Sequence, residues 1–284
     1  MQRRNLRKAS PTLQGVSVVA YCIDKRNQCQ EKDDIRGCLL LLGNVTNALA
    51  AASVQDEQLH QTSLESGYKI RISHIVSVAD NGKAAQVNKT IQQQSSSSVQ
   101  FSSYYMADRL RPDETICLRE VAAKPLMAIE QAMGCSASDL HVKPPTILAD
   151  ATKDTTIHRA ILVHCNEGYN RSPTLVLAFL MNTGGLTLRD AYKLVLQSRP
   201  GIDSLPPYRR ALREHEQFIT NKSTVNESET FQLHLSELLQ FVDQESQNNG
   251  TTADPAEYRI NRVHAARELR RKAIADLLSE ASEG

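Results

Sequence analysis

The stretch Ile161–Met181, ILVHCNEGYNRSPTLVLAFLM, sets two apolar runs on either side of a short polar loop. The first run, Ala160–His164, is short and apolar up to its closing histidine. It reads as a strand buried on both faces. The second, Arg171–Asn182, reads as a buried helix that Gly184-Gly185 stops. A doubly buried strand feeding a buried helix needs cover on both sides. The architecture that supplies it is an α/β fold, a mostly parallel central sheet flanked by helices.

The rest of the chain fits that frame. Val16–Ile23, Cys38–Leu42, Ser73–Ala79 and Phe101–Met106 read as further strands, and Asn44–Ala52 as a helix. Ile116–Met133 has helical apolar spacing, with a Pro125 that should kink or restart it. Asn88–Gln100 reads as a polar low-complexity loop and Gly134–Thr156 as a long polar one. Thr187–Gln197, capped by Thr187 or a neighbour, and Pro207–Ile219 read as two closing helices. The pattern predicts a basic arm over 1–13, an α/β domain over 14–220 and a helical C-terminal extension over 221–284. In the extension, Phe231–Val242 is leucine-rich. A last helix, opened by Asp254-Pro255-Ala256-Glu257 and running to about Ser279, carries a basic face.

The net charge is +1, so no bulk field favours nucleic acid or an anionic membrane. Basic character is local, in Arg3, Arg4, Arg7 and Lys8. This arm would dock an acidic kinase surface, would serve as an organelle transit peptide, or simply leads into a strand. The six cysteines, Cys22, Cys29, Cys38, Cys117, Cys135 and Cys165, contain no C-x2-4-C pair, so no metal site is expected. With no secretory signal, reduced thiols in a cytoplasmic or nuclear protein are expected. Val16–Ile23 is too short to span a bilayer.

The loop carries the chemistry. A thiol is a useful nucleophile when ionised, and an electropositive setting favours that form. From Asn166 through Glu167, Gly168, Tyr169 and Asn170 to Arg171, the backbone N–H groups of a strand-to-helix loop can turn inward as an anion nest, next to the positive end of the helix. Gly168 permits a sharp turn. Arg171 offers a planar fork for two phosphoryl oxygens. Cys165 stands at the floor of this cup, Ser172 can donate to its sulfur, and His164 orients the loop.

HCNEGYNRS fits the pattern HC-x5-R-[ST] and resembles the protein tyrosine phosphatase superfamily. The wider run HCNEGYNRSPTLVLAFLM resembles its dual-specificity phosphatase branch. IRGCLLLLGNVTNALA, SHIVSVA and SRPGIDSLPPYRRALREHE resemble that family's opening strand, second core strand and closing helix pair. The likeness covers about 35–219, with insertions near 52–70, 86–100 and 134–157. It implies hydrolysis of phosphotyrosine and phosphoserine/threonine in proteins through a phosphocysteine on Cys165, with an aspartic acid as proton donor and then base, and with no metal or cofactor.

The family's acid lies after the third strand and just before a helix, which points to Asp113. Its separation from Cys165, 165 − 113 = 52, is long for the family. Asp139, Asp150 and Asp154 of the 134–157 insertion stay open as alternatives. Glu167 and Tyr169 stand at the rim, either against a phosphopeptide or in solvent. Arg199 either holds a second phosphate or is a surface arginine. Asn170 stands where the family often has Ser. The loop has no lysine, which disfavours an inositol phosphate. Asn170-Arg171 echoes the RNA 5′-triphosphatase branch, but Ser172 and Pro173 do not. The partner expected is a phosphorylated protein, a protein kinase among the options. The rival readings are a phosphate-reading pseudophosphatase and an RNA or lipid phosphatase.

Overall fold

The computed structural model describes residues 12–13, 16–23, 37–53, 62–64, 69–79, 83–94, 99–108, 110–111, 113–134, 140–141, 157–199 and 202–225, with Ala265, Leu269 and Lys272. Five long strands form the sheet: β2 (Ser17–Ile23), β3 (Gly37–Gly43), β5 (Lys69–Ala79), β6 (Gln100–Tyr105) and β8 (Ile157–His164). Their order is β2-β3-β8-β5-β6. All are parallel except β2, which pairs antiparallel at one edge. Three short strands, β1 (Thr12–Leu13), β4 (Thr62–Leu64) and β7 (Leu140–His141), extend the margins.

The apolar runs are unbroken because both faces are covered. Leu39, Leu41, Ala160 and Leu162 meet α1 (Val45–Ser53) and α2 (Lys83–Gln94) on one side. Leu40, Leu42, Ile161 and Val163 meet the other four helices. These are α3 (Leu118–Met133), α4 (Arg171–Asn182), α5 (Leu188–Ser198) and α6 (Pro206–Thr220). Each such side chain contributes roughly 1.5–3 kcal/mol by leaving water. A register shift between Ile72 and His74 lets β5 put Ile70, Ile72 and Ile75 on the first face and Val76 and Val78 on the second.

Four expectations change. Residues 83–94 are helical, although 88–100 read as a loop and 86–100 as an insertion. Composition hid a short stripe: Val87 and Ile91, four apart, face the sheet, and Asn88 bonds Ser77 and Ser103 at 2.8 Å each. Helix α3 runs through Pro125 without a break. Pro125 costs one backbone bond, and burial of Ala122, Leu126, Ile129 and Met133 on the same helix outweighs it. The segment after Gly134 is also more than a loop, since Leu140–His141 pairs with β2. Strand β5 begins inside the stretch expected as the 52–70 insertion. The arm 1–11 and Phe231–Val242 lie outside the described residues. Of the expected last helix, Ala265, Leu269 and Lys272 are described, and they are helical.

Two charged side chains, a buried Glu216 and a half-buried Arg159, fasten the helical layer. The Glu216 carboxylate accepts from Leu188 N–H at the start of α5 (2.7 Å) and from the Thr224 N–H (2.8 Å) and hydroxyl (2.6 Å). It satisfies one of the donors a helix start leaves over. Arg159 on β8 donates to the carbonyls of Ala132 and Met133, at the opposite end of α3. The parallel strands thus end at one margin of the sheet, where Gly43, Ser77 and His164 lie in register.

Candidate active site

Cys165 follows β8 directly and is 3% exposed. Its Sγ accepts the Gly168 N–H and the Ser172 hydroxyl, both at 3.2 Å. The chain between them is held from outside. The carbonyl of Asn166 accepts Val45 N–H (3.0 Å), that of Glu167 accepts Arg199 Nη2 (3.2 Å), that of Gly168 accepts Arg199 Nε (2.9 Å), and that of Tyr169 accepts Asp203 N–H (2.6 Å). In a trans peptide the C=O of one residue and the N–H of the next point opposite ways. The N–H groups of Glu167, Gly168, Tyr169 and Asn170 therefore turn away from these partners, and that of Gly168 reaches the sulfur. The partners that hold the loop lie outside it.

Gly168 sits at φ +74°, and a Cβ there would lie 2.5 Å from the Gly43 carbonyl oxygen. The turn after β3 thus presses on the loop. Asn44 and Asn47 stiffen that turn by exchanging N–H···Oδ1 bonds of 2.9 and 3.0 Å. Arg199, at the end of α5, is 9% exposed, with its guanidinium 5.2 Å from the centre of the Tyr169 ring. It is a buried fastener of the loop, not a surface arginine. Tyr169 and Glu167 are exposed at the rim.

His164 Nδ1 lies 3.2 Å from the Cys165 carbonyl. A carbonyl only accepts, so Nδ1 carries the proton. Burial pushes this imidazole down to about 4; the carbonyl bond opposes the shift and the Arg171 charge adds to it. The ring is neutral at pH 7, and Nε2 is buried without a hydrogen-bond partner. Arg171, the first residue of α4, is 1% exposed.

The structure brings a residue to Arg171 that the sequence reading passed over. Asp108, on the turn after β6, places Oδ1 3.1 Å from Arg171 Nε and has a 39% exposed side chain. The turn is fixed by Tyr208, whose hydroxyl donates to the Ala107 carbonyl at 2.6 Å. Burial drives that phenol above its usual range, which keeps it a donor. Asp113 is placed elsewhere: its carboxylate lies 3.9 Å from Arg111 Nε and is 77% exposed. Asp139, Asp150 and Asp154 lie outside the described residues. The signal for Asp108 was present in YYMADRLRPDETI, where it is the first acid after the strand. Searching beside the following helix selected the second.

Residues 146–218 match the family model described as the dual specificity phosphatase catalytic domain. This segment belongs to the dual specificity phosphatase family. It holds β8, the loop and α4 to α6, but the phosphatase match stops short of Asp108 and of the β3 turn that presses on Gly168. Three relatives match over a similarly short stretch. A protein-tyrosine-phosphatase IBR5 of Arabidopsis thaliana is 37% identical over 76 residues, 25% of this chain and 30% of the relative. Dual specificity protein phosphatase 14 of Homo sapiens is 40% identical over 73 residues, 26% and 37% of the two chains. MAP kinase phosphatase with leucine-rich repeats protein 3 of Dictyostelium discoideum is 40% identical over 63 residues, 22% of this chain and 7% of that one. The aligned stretch spans about a third of the first two relatives. Among the described residues, no group of three or more His, Cys, Asp or Glu could hold a metal ion, and no helix is long and apolar enough to cross a membrane.

Proposed function

We propose that this chain is a cysteine-dependent dual-specificity protein phosphatase, with residues 14–220 as its catalytic domain. The observation that carries the reading is the Cys165 sulfur, bonded by the Gly168 amide and the Ser172 hydroxyl, at the floor of a nest beside buried Arg171. In the first step the Cys165 thiolate attacks phosphorus. The S–P bond forms as the P–O bond to the leaving group breaks, and Asp108 gives its proton to the departing oxygen. In the second step water attacks the phosphocysteine, the Asp108 carboxylate takes a proton, and sulfur departs as thiolate with the Ser172 hydroxyl donating to it. The nest amides and Arg171 hold the equatorial oxygens as charge moves. Asp108 takes the acid role in preference to Asp113 because its carboxylate meets Arg171. Proteins phosphorylated on tyrosine, serine or threonine are the substrate class, and the kinase named in one relative makes a phosphorylated kinase the first partner to try.

The test is hydrolysis of an aryl phosphate by wild type and Cys165→Ser, beside phosphotyrosine and phosphothreonine peptides, an inositol phosphate and a 5′-triphosphate RNA. Wild type should cleave the aryl ester and both peptides, and the variant none. Equal rates for the two proteins would leave a phosphate-reading protein. A strong preference for the inositol phosphate or the RNA would overturn the substrate class.

A further inference from the structure

Asn170 is the N-cap residue of α4, and Asn is among the best N-caps, yet its side chain makes no cap bond there. It is committed in two other directions. Oδ1 accepts the Leu205 N–H at 2.9 Å, at the start of α6. That bond fixes which way the amide faces, because a backbone N–H can only donate. The Nδ2 group is then turned to Asp108, 3.5 Å from Oδ1 of its carboxylate. The main chain is equally constrained, since the Asn170 carbonyl accepts both the Thr174 hydroxyl (2.8 Å) and its N–H (3.1 Å). A residue that forgoes a cap worth about 1 kcal/mol, and whose backbone and amide are both pinned, is built to hold its remaining donor in one place.

That donor meets the same carboxylate oxygen as Arg171 Nε, which lies 3.1 Å from Asp108 Oδ1. We infer that Asn170 is a positioning residue for the acid: with Arg171 it occupies Oδ1 of Asp108 and thereby assigns the transferred proton to Oδ2. The Asn170 N–H and the positive guanidinium of Arg171, 3.1 Å away as an ion pair, leave no favourable place for a proton on Oδ1. In the first step the Oδ2–H bond breaks and its proton passes to the leaving oxygen as the P–O bond opens. In the second, Oδ2 takes the proton of the attacking water. Serine, frequent in the family at this place, has a shorter side chain and one donor. The arrangement is thus a property of this chain, and it rests on the reading of Asp108 as the acid.

The experiment compares leaving groups. A phosphothreonine peptide leaves as an alkoxide and needs the proton; 4-nitrophenyl phosphate leaves as a weakly basic phenolate and needs it little. Asn170→Asp keeps the acceptor for Leu205 but cannot donate to a carboxylate, and Asn170→Ala removes both contacts. Each variant should lose about tenfold in kcat/KM, which reports the first step alone, on the peptide and less than about threefold on the aryl ester. Combined with Asp108→Asn, the further loss should vanish, because both changes act on one proton. Equal loss on both esters, or no loss on either, overturns the inference. If Asp108→Asn itself fails to discriminate between the esters, the acid assignment is what falls. A readout apart from turnover is the carboxyl carbon resonance of Asp108 in substrate-free protein. It should move in Asn170→Ala, and an unmoved resonance sinks the contact whatever the activity.

Discussion

Asp108 and Asp113 are five residues apart, and the difference between them is geometric. One meets the buried guanidinium of Arg171; the other stands three-quarters exposed beside Arg111. Replacing Asp108 with Asn should lower kcat on a phosphothreonine peptide at neutral pH by about 10²–10⁴-fold and remove the alkaline limb of the profile. The same change at Asp113 should alter kcat by less than about threefold. Steady-state rates across pH for the two variants decide it, and a large loss confined to Asp113 would reverse the assignment. The sequence made Cys165, Arg171 and Ser172 legible because eight adjacent residues, Cys165 to Ser172, carry that pattern. It did not separate the two acids, because the choice depends on where β6 ends and which way the next turn faces. Arg199 was hidden for a related reason, since only the assembled fold shows that its guanidinium lies under the loop.

At the scale of elements, the loop and the turn after β3 fit each other closely. Gly168 has both a left-handed φ and a neighbouring carbonyl where a methyl would go. Gly168→Ala should cost about 1–3 kcal/mol and lower activity more than stability, because the N–H that reaches Sγ belongs to the displaced residue. Denaturant midpoints and kcat measured together check this; a variant of wild-type stability and rate would mean the loop adapts. Periodicity found the elements around this contact. Strand β8 and helix α4 carry the unbroken apolar runs Ala160–Val163 and Leu175–Met181, and Thr187 caps α5, its hydroxyl accepting Asp190 N–H at 3.1 Å. Helix α2 escaped because polar composition masked two apolar positions. Pro125 misled because tertiary burial overrode a local penalty.

For the molecule as a whole, the neutral imidazole of His164 links folding to acidity. Its value is near 4 when folded, against about 6.5 in the open chain. The unfolded state therefore binds the proton first. The stability present above pH 6.5 is lost as pH falls toward 4, by an amount on the order of 3 kcal/mol. Burial lowers His74 and His215 as well, which adds loss of the same sign. Thermal midpoints at pH 7.5 and 5 should fall more for wild type than for His164→Gln. Parallel falls would show that the ring does not govern the loss.

The carbonyls of the loop are gripped by Val45 and by Arg199 and Asp203, two places far apart along the chain. A synthetic peptide copied from 161–181 would hold Cys165, Arg171 and Ser172 and none of these anchors. Its sulfur should behave as an ordinary thiol in a floppy strand, because the reactivity is a property of the surrounding architecture rather than of the motif that advertises it.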